Sequence, residues 1–176
     1  MITKVISVKR MVAFFEKEYH DVLGRLDELY EATKNLQFEG KVSSGKNIKV
    51  IERVIDYLKK KLFLHIALDE KIIFPFLEAH IPKLTVVLSL LRAERNEFKA
   101  NLEDFESLFS KLKEEKNDQQ YYKLVRDLRE KGIYLVCLMR NHIQVENESI
   151  YKIIDQELHN DEKKELLRRC SHSEKD

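Results

Sequence analysis

Apolar residues recur every three or four positions along four long stretches of this chain, and this spacing is typical of amphipathic helices. Only four glycines and two prolines occur among the 176 residues, which are too few for the many turns of a sheet protein. Four such helices joined by short loops predict an all-α, up-down-up-down four-helix bundle. The predicted helices cover about residues 7–34, 48–76, 84–109 and 119–158.

The breaks between these patterns define the predicted organisation. Glycine and serine in residues 38–46 predict a loop, Ile81-Pro82 predicts a connection, and Lys116-Asn117-Asp118 interrupts the helical pattern. Pro75 falls inside the end of the second helix, where a kink is expected. We predict a bundle domain over residues 1–160, followed at 161–176 by a short helix and a polar tail that begins at Ser171.

Charge and cysteine content exclude several classes of function. The chain carries 32 basic and 31 acidic residues, so its net charge of +1 leaves no basic face for nucleic acid. Cys137 and Cys170 form no disulfide framework, which favours a reducing compartment. No run of about 20 apolar residues predicts a membrane span, and the first ten residues do not resemble a signal peptide. We therefore expect a soluble cytoplasmic protein; the exposed faces leave its oligomeric state open.

Two segments repeat one arrangement of polar residues. His65 precedes Asp69 by four positions and His142 precedes Glu146 by four, and each pair lies within an apolar helical stripe. Residues four apart share one face of a helix, so both pairs are predicted to face the core. One such pair alone is more often a core histidine bonded to a nearby acid. The repetition on two helices favours a metal ion bound between them.

Imidazole and carboxylate ligands without thiolate suit iron, manganese or zinc. His20, close to the apolar stripe of the first helix, is a further candidate ligand. Because each carboxylate has two oxygens, Asp69 and Glu146 could bridge two metal ions.

The order of these residues resembles the hemerythrin-like, or HHE cation-binding, domain family over about residues 10–158. That family has a histidine in its first helix, a His-x3-Glu followed by an apolar-Phe-Pro segment in the second, a Glu-His pair in the third and another His-x3-Glu in the fourth. The matching residues here are His20, His65, Asp69, Phe74-Pro75, Glu94, Arg95, His142 and Glu146. The resemblance implies a non-haem iron centre of one or two ions.

Two positions depart from the family pattern. Asp69 replaces a glutamate, which shortens the side chain by one methylene group. Arg95 replaces the histidine of the third helix, and a protonated arginine cannot bind a metal. Arg95 then either pairs with a carboxylate and reduces the site to one metal, or reaches solvent. In the second case the rotated helix would bring Glu94 inward as a replacement ligand.

The resemblance implies binding of, or reaction with, O2, peroxide or nitric oxide in a stress, sensing or iron-handling role. Arg95 could stabilise an anionic ligand by charge and hydrogen bonding. The alternative is a metal-free helical scaffold or interaction module in which Arg95 and the two carboxylates form a buried ionic network. Whether the protein is an enzyme is left open.

Overall fold

The computed structural model describes residues 8–39 and 44–173, which form a four-helix bundle with a shorter helix after it. The second bundle helix (residues 45–80) and the fourth (residues 118–157) each contain more than one α-helical segment. The α-helical segments are α1 (Val8–Phe38), α2 (Gly45–Tyr57), α3 (Phe63–Leu68), α4 (Phe74–His80), α5 (Thr85–Glu114), α6 (Asp118–Val145), α7 (Lys152–Glu157) and α8 (Asn160–Ser173). A 3-10 turn, Pro82–Leu84, leads into α5. The predicted all-α bundle is confirmed.

Within the second and fourth bundle helices, the α-helical segments are separated by π-helical turns. These turns are Leu58–Leu62, Asp69–Ile73 and Glu146–Tyr151. A π-helical turn holds an extra residue and is frequent at functional sites. Two of the three begin at the carboxylates that the sequence analysis selected, so those two side chains lie where the backbone departs from regular α-helical geometry.

The bundle helices pack around one continuous apolar core, and α6 contacts both α1 and α5. α1 and α6 are antiparallel neighbours. An ion pair between Asp27 of α1 and Arg140 of α6 joins them. Gly132 lies where three helices meet: a Cβ there would be 3.3 Å from Phe105 and 3.4 Å from Thr33. This glycine, expected only to be tolerated within a helix, therefore allows close helix packing.

The helix boundaries differ from the prediction by a few residues. The first helix continues to Phe38, and residues 40–43 of the predicted loop lie outside the described residues. The predicted break near Asn117 is present, because its side chain accepts a hydrogen bond from the backbone N–H of Gln120 and caps α6. Pro75 lies at the start of α4, and the helix continues to His80.

The last helix packs against the bundle through the buried Leu166. It extends to Ser173, three residues into the predicted tail, and residues 174–176 lie outside the described part. The division at residue 160 stays a prediction. Among the described helices, none is both long enough and apolar enough to cross a membrane.

Candidate metal centre

A cluster of polar side chains lies inside the bundle, where apolar residues would be expected. Its members come from all four bundle helices. We call it the buried polar cluster, and it consists of Tyr19, His65, Asp69, Arg95, His142, Glu146 and Tyr151. The side chains of Asp69, Arg95 and Glu146 are at most 1% exposed. Burial of this kind is costly unless the groups are paired or bind a metal ion.

The His65–Asp69 pair is on the second bundle helix. His65 Nε2 lies 3.3 Å from Asp69 Oδ2 and 3.2 Å from the Tyr19 hydroxyl. The His65 side chain is 8% exposed, so it is the member of the pair that lies nearer to solvent. Asp69 Oδ1 is buried and has no hydrogen-bond partner among the described residues. The pair therefore presents an unsatisfied carboxylate oxygen beside an imidazole nitrogen.

The His142–Glu146 pair has the same spacing but different partners. Arg95 Nε donates to His142 Nε2 at 3.1 Å, and His142 Nδ1 lies 3.1 Å from Glu94 Oε2. Since Arg95 can only donate, Nε2 is the acceptor and Nδ1 carries the proton given to Glu94. Both nitrogens of this imidazole are thus used within the protein.

Arg95 lies at the centre of the cluster. Its Nη2 donates to Asp69 Oδ2 at 2.5 Å and to Glu146 Oε1 at 2.8 Å. The guanidinium also lies over the ring of Phe74, with Cζ 4.4 Å from the ring centre. Nη1 is buried with no hydrogen-bond partner among the described residues. Of the two orientations considered for Arg95, the structure has the inward one, and the side chain does not reach solvent.

Glu94 does not join the two carboxylates at the centre of the cluster. Its side chain is 14% exposed and accepts hydrogen bonds from His142 Nδ1 and, at 3.3 Å, from Asn141 Nδ2. Adjacent residues on a helix point about 100° apart, so the inward orientation of Arg95 keeps Glu94 at the edge. Glu94 therefore orients His142, and the rotated helix that would bring Glu94 inward as a replacement ligand is not the arrangement found.

His20 also lies outside the cluster, because it is exposed while the preceding residue, Tyr19, is 3% exposed. Tyr19 donates a hydrogen bond to Glu146 Oε2. The structure therefore does not bring His20, the ligand predicted on the first helix, into the cluster. Within residues 19–38, the part of α1 whose burial is described, the buried residues are Tyr19, Val22, Leu26, Leu29, Ala32, Thr33 and Leu36. Their spacing by threes and fours includes position 19 and excludes position 20, so closer attention to this periodicity would have identified the tyrosine.

Tyr151 is the other member that the sequence analysis missed. Its hydroxyl lies 3.2 Å from that of Tyr19. It follows Glu146 by five residues, the spacing of one π-helical turn, which places both side chains on the same face. Regular α-helical periodicity does not predict that arrangement. Burial, followed by the negative charge of Glu146, raises the pKa of both tyrosines well above the ordinary value, so both are neutral phenols.

The charges of the cluster do not balance. Burial and the nearby charge of Asp69 raise the pKa of Glu146 to about 7, although Arg95 acts in the opposite direction. Burial alone would lower the pKa of Arg95, but Asp69 and Glu146 raise it above the ordinary value. Burial and the charge of Arg95 lower the pKa of His142 to about 3, so this imidazole is neutral. Two carboxylates thus face one guanidinium, and this excess of negative charge favours a bound proton or cation.

The donor set fits one metal ion. One ligand atom from each of His65, Asp69 and Glu146 lies within 4.8 Å of the other two. The unpaired Asp69 Oδ1 and the unbalanced negative charge are both features that a cation would satisfy. Arg95 bonds both carboxylates and the Nε2 atom of His142, so its guanidinium engages donor atoms that a second ion would need.

Comparison with known proteins agrees with this geometry. The family model described as the hemerythrin HHE cation-binding domain matches residues 10–154. Among curated proteins, none matches the chain. The matched region covers all but the first two and last three residues of the four-helix bundle and contains every member of the buried polar cluster. This chain belongs to the hemerythrin HHE cation-binding domain family.

Proposed function

We propose that this protein holds a single non-haem iron ion through His65, Asp69 and Glu146, and that it binds or reacts with O2, peroxide or nitric oxide there. The observation that supports this most is the convergence of three buried ligand atoms within 4.8 Å beside a carboxylate oxygen with no other partner. Two carboxylates and one imidazole also suit manganese or zinc, and the family resemblance is what favours iron. Bound iron would supply an open coordination position and redox chemistry for such small molecules.

Arg95 has two roles in this proposal. Its positive charge offsets that of one of the two carboxylates. A single divalent ion is then enough to offset the negative charge that is left. Its unpaired Nη1 can donate a hydrogen bond to a small anionic ligand such as peroxide. The burial of these groups keeps bulk water away from the site and strengthens both interactions.

The biological setting is part of the proposal. Handling of O2, peroxide or nitric oxide by a protein whose two cysteines form no disulfide is consistent with a stress, sensing or iron-handling role in the cytoplasm. The proposed partners are small molecules.

A second candidate function is a metal-free helical scaffold or interaction module. What favours it is that Arg95 Nη2 already bonds Asp69 at 2.5 Å and Glu146 at 2.8 Å. A buried ion pair of this kind can specify one packing arrangement without adding stability. In this case the buried polar cluster sets the register of the helices and binds nothing.

Metal content and stability together distinguish the two candidates. We would measure iron per chain by elemental analysis, the absorption spectrum in air, and the free energy of unfolding with and without Fe(II). About one iron per chain is expected, with a gain of about 2.7 kcal/mol at a free Fe(II) concentration 100 times Kd. Asp69→Asn should lose the iron, whereas Glu70→Gln, the adjacent control, should keep it. No iron and unchanged stability would favour the scaffold.

Arg95→His tests the role given to the arginine. The substitution removes the guanidinium and restores a potential ligand on the third helix. We expect about two irons per chain and absorption bands of an oxo-bridged pair. Unchanged iron content in a folded Arg95→His protein would contradict the view that Arg95 takes the place of a second ion.

A further inference from the structure

The buried polar cluster is closed to bulk solvent, so any exogenous ligand needs a route to it. A cavity of about 210 Å³ lies between α1 and the second bundle helix and is lined in part by Tyr19 and His65. We call it the side cavity. The same two residues contact the carboxylates: Tyr19 bonds Glu146, and His65 lies 3.3 Å from Asp69 Oδ2. The side cavity therefore reaches the buried polar cluster.

The rest of the lining limits what this cavity can hold. Val22 and Leu62 supply apolar wall, and Asp21 and Lys61 bring one charge of each sign to the opening. These opposite charges give no preference for an anion or a cation. The volume is below the range of about 300–1,000 Å³ usual for organic ligands. Small uncharged molecules are the class that fits.

The inner end of the cavity offers polar contacts to such a molecule. The rings of Tyr19 and His65 meet edge to face, with centroids 5.2 Å apart and planes at 74°. The Tyr19 hydroxyl and His65 Nε2 are 3.2 Å apart and hydrogen-bonded to each other, so they form one polar patch at this end of the cavity. A second cavity, lined by Leu23, Asp27, Arg140 and other residues, is lined by no member of the buried polar cluster. Contact with the cluster is therefore not shared by both cavities.

We propose that the side cavity is the entry and binding site through which a small uncharged molecule such as O2 or nitric oxide reaches the cation site, with Tyr19 and His65 at its inner end. This inference rests on the proposed function for its role in reactivity. Entry of a small apolar gas into the side cavity, however, does not require bound iron. The two can therefore be tested separately.

The first test uses the metal-free protein and dissolved O2. Paramagnetic O2 speeds the NMR relaxation of methyl groups that it approaches. Under raised O2 pressure we expect enhanced relaxation of the Val22 and Leu62 methyls. Leu128, a fully buried residue that does not line the cavity, is the control. Equal relaxation of all three residues would overturn the inference, even if the protein binds iron. Enhanced relaxation without any iron binding would support the cavity and contradict the proposed function.

The second test blocks the cavity in the Fe(II)-loaded protein. Lys61→Trp places a large ring at the opening, and Val22→Phe fills the cavity from its wall. Both should slow nitric oxide association, measured by stopped flow, by about tenfold or more while leaving iron per chain unchanged. Lys60→Trp, at the neighbouring exposed lysine, should associate at the original rate. Original rates in both folded cavity variants would overturn the inference.

Discussion

The His65–Asp69 and His142–Glu146 pairs share a spacing, and both carboxylates begin a π-helical turn, but their imidazoles differ in the groups that they contact. His142 accepts from Arg95 and donates to Glu94, so both ring nitrogens are engaged. His65 contacts Tyr19 and Asp69 and lines a cavity. Two nearly identical sequence motifs thus give one histidine that is held by the third bundle helix and one that contacts the first helix and lines a cavity.

The third bundle helix causes this difference. Arg95 and Glu94, adjacent in α5, contact opposite nitrogens of the His142 imidazole. The residue types at these two positions of one helix therefore give two similar pairs different partners. Four substitutions test this asymmetry, starting with the residue on which it depends most.

Replacement of Arg95 by leucine should have the largest effect. It leaves Asp69 and Glu146 buried beside each other without a counter-charge, which should lower the free energy of unfolding of the metal-free protein by about 3–5 kcal/mol. Urea denaturation measures the change. Arg92→Leu is the control, because Arg92 pairs with Glu78 near the surface and should cost about 1 kcal/mol or less. Similar losses in both variants would mean that Arg95 is not the counter-charge.

The second effect depends on pH and involves His142. Its pKa is about 3 in the folded protein and 6.5 ordinarily, so the unfolded chain binds a proton between these values and the folded protein does not. Stability from this residue is therefore complete above pH 6.5 and is lost as pH falls towards 3. Relative to His142→Gln, the metal-free protein should lose about 3 kcal/mol between pH 7 and pH 4. A constant difference across that range, measured by urea denaturation, would show that His142 is not held neutral.

The third effect is on cation affinity. His65→Gln removes a proposed ligand and should weaken Fe(II) binding by about 10–100-fold or more, measured by anaerobic calorimetry. His142→Gln should change the affinity by about threefold or less, because Arg95 and Glu94 already occupy that imidazole. Circular dichroism of both variants confirms folding. Equal losses of Fe(II) affinity in the two variants would contradict the different roles given to His65 and His142.

The smallest effect is expected at Glu94. Glu94→Gln keeps an acceptor for His142 Nδ1–H but removes the charge, and should cost about 1 kcal/mol of stability. Nitrogen chemical shifts of His142 should also show a weaker preference for the Nδ1–H tautomer. Glu103→Gln, at an exposed position of the same helix, is the control and should leave both measurements unchanged. An unaltered tautomer in Glu94→Gln would show that Arg95 alone orients the ring.

Most of the fold was predictable, because hydrophobic spacing along a helix depends on nearby residues alone. The all-α bundle, the connection at Ile81-Pro82 and the break near Asn117 follow from periodicity and turn residues. The π-helical turns were not predicted, since an extra residue in one turn alters the register without a clear signal in composition. Tyr151 was missed for that reason.

The choice between adjacent residues was harder to make from sequence. His20 and Tyr19, and likewise Glu94 and Arg95, differ by about 100° around their helices, and a small rotation exchanges one for the other. The ability of an imidazole to bind a metal favoured His20 on the first helix, yet packing buries Tyr19 instead. At the second position the core spacing of Arg95 between Leu91 and Phe98 indicated the orientation found in the structure.

The sequence by itself determined that this chain forms a helical bundle of the hemerythrin HHE cation-binding family, with two inward His-x3-carboxylate pairs. Those features depend on residue type and spacing within single helices. Only the tertiary structure decided which groups each histidine contacts, because Tyr19, Glu94 and Arg95 reach them from other helices. It also decided that a tyrosine on the first helix meets the carboxylates, since the rotation of each helix is set by the packing of all four.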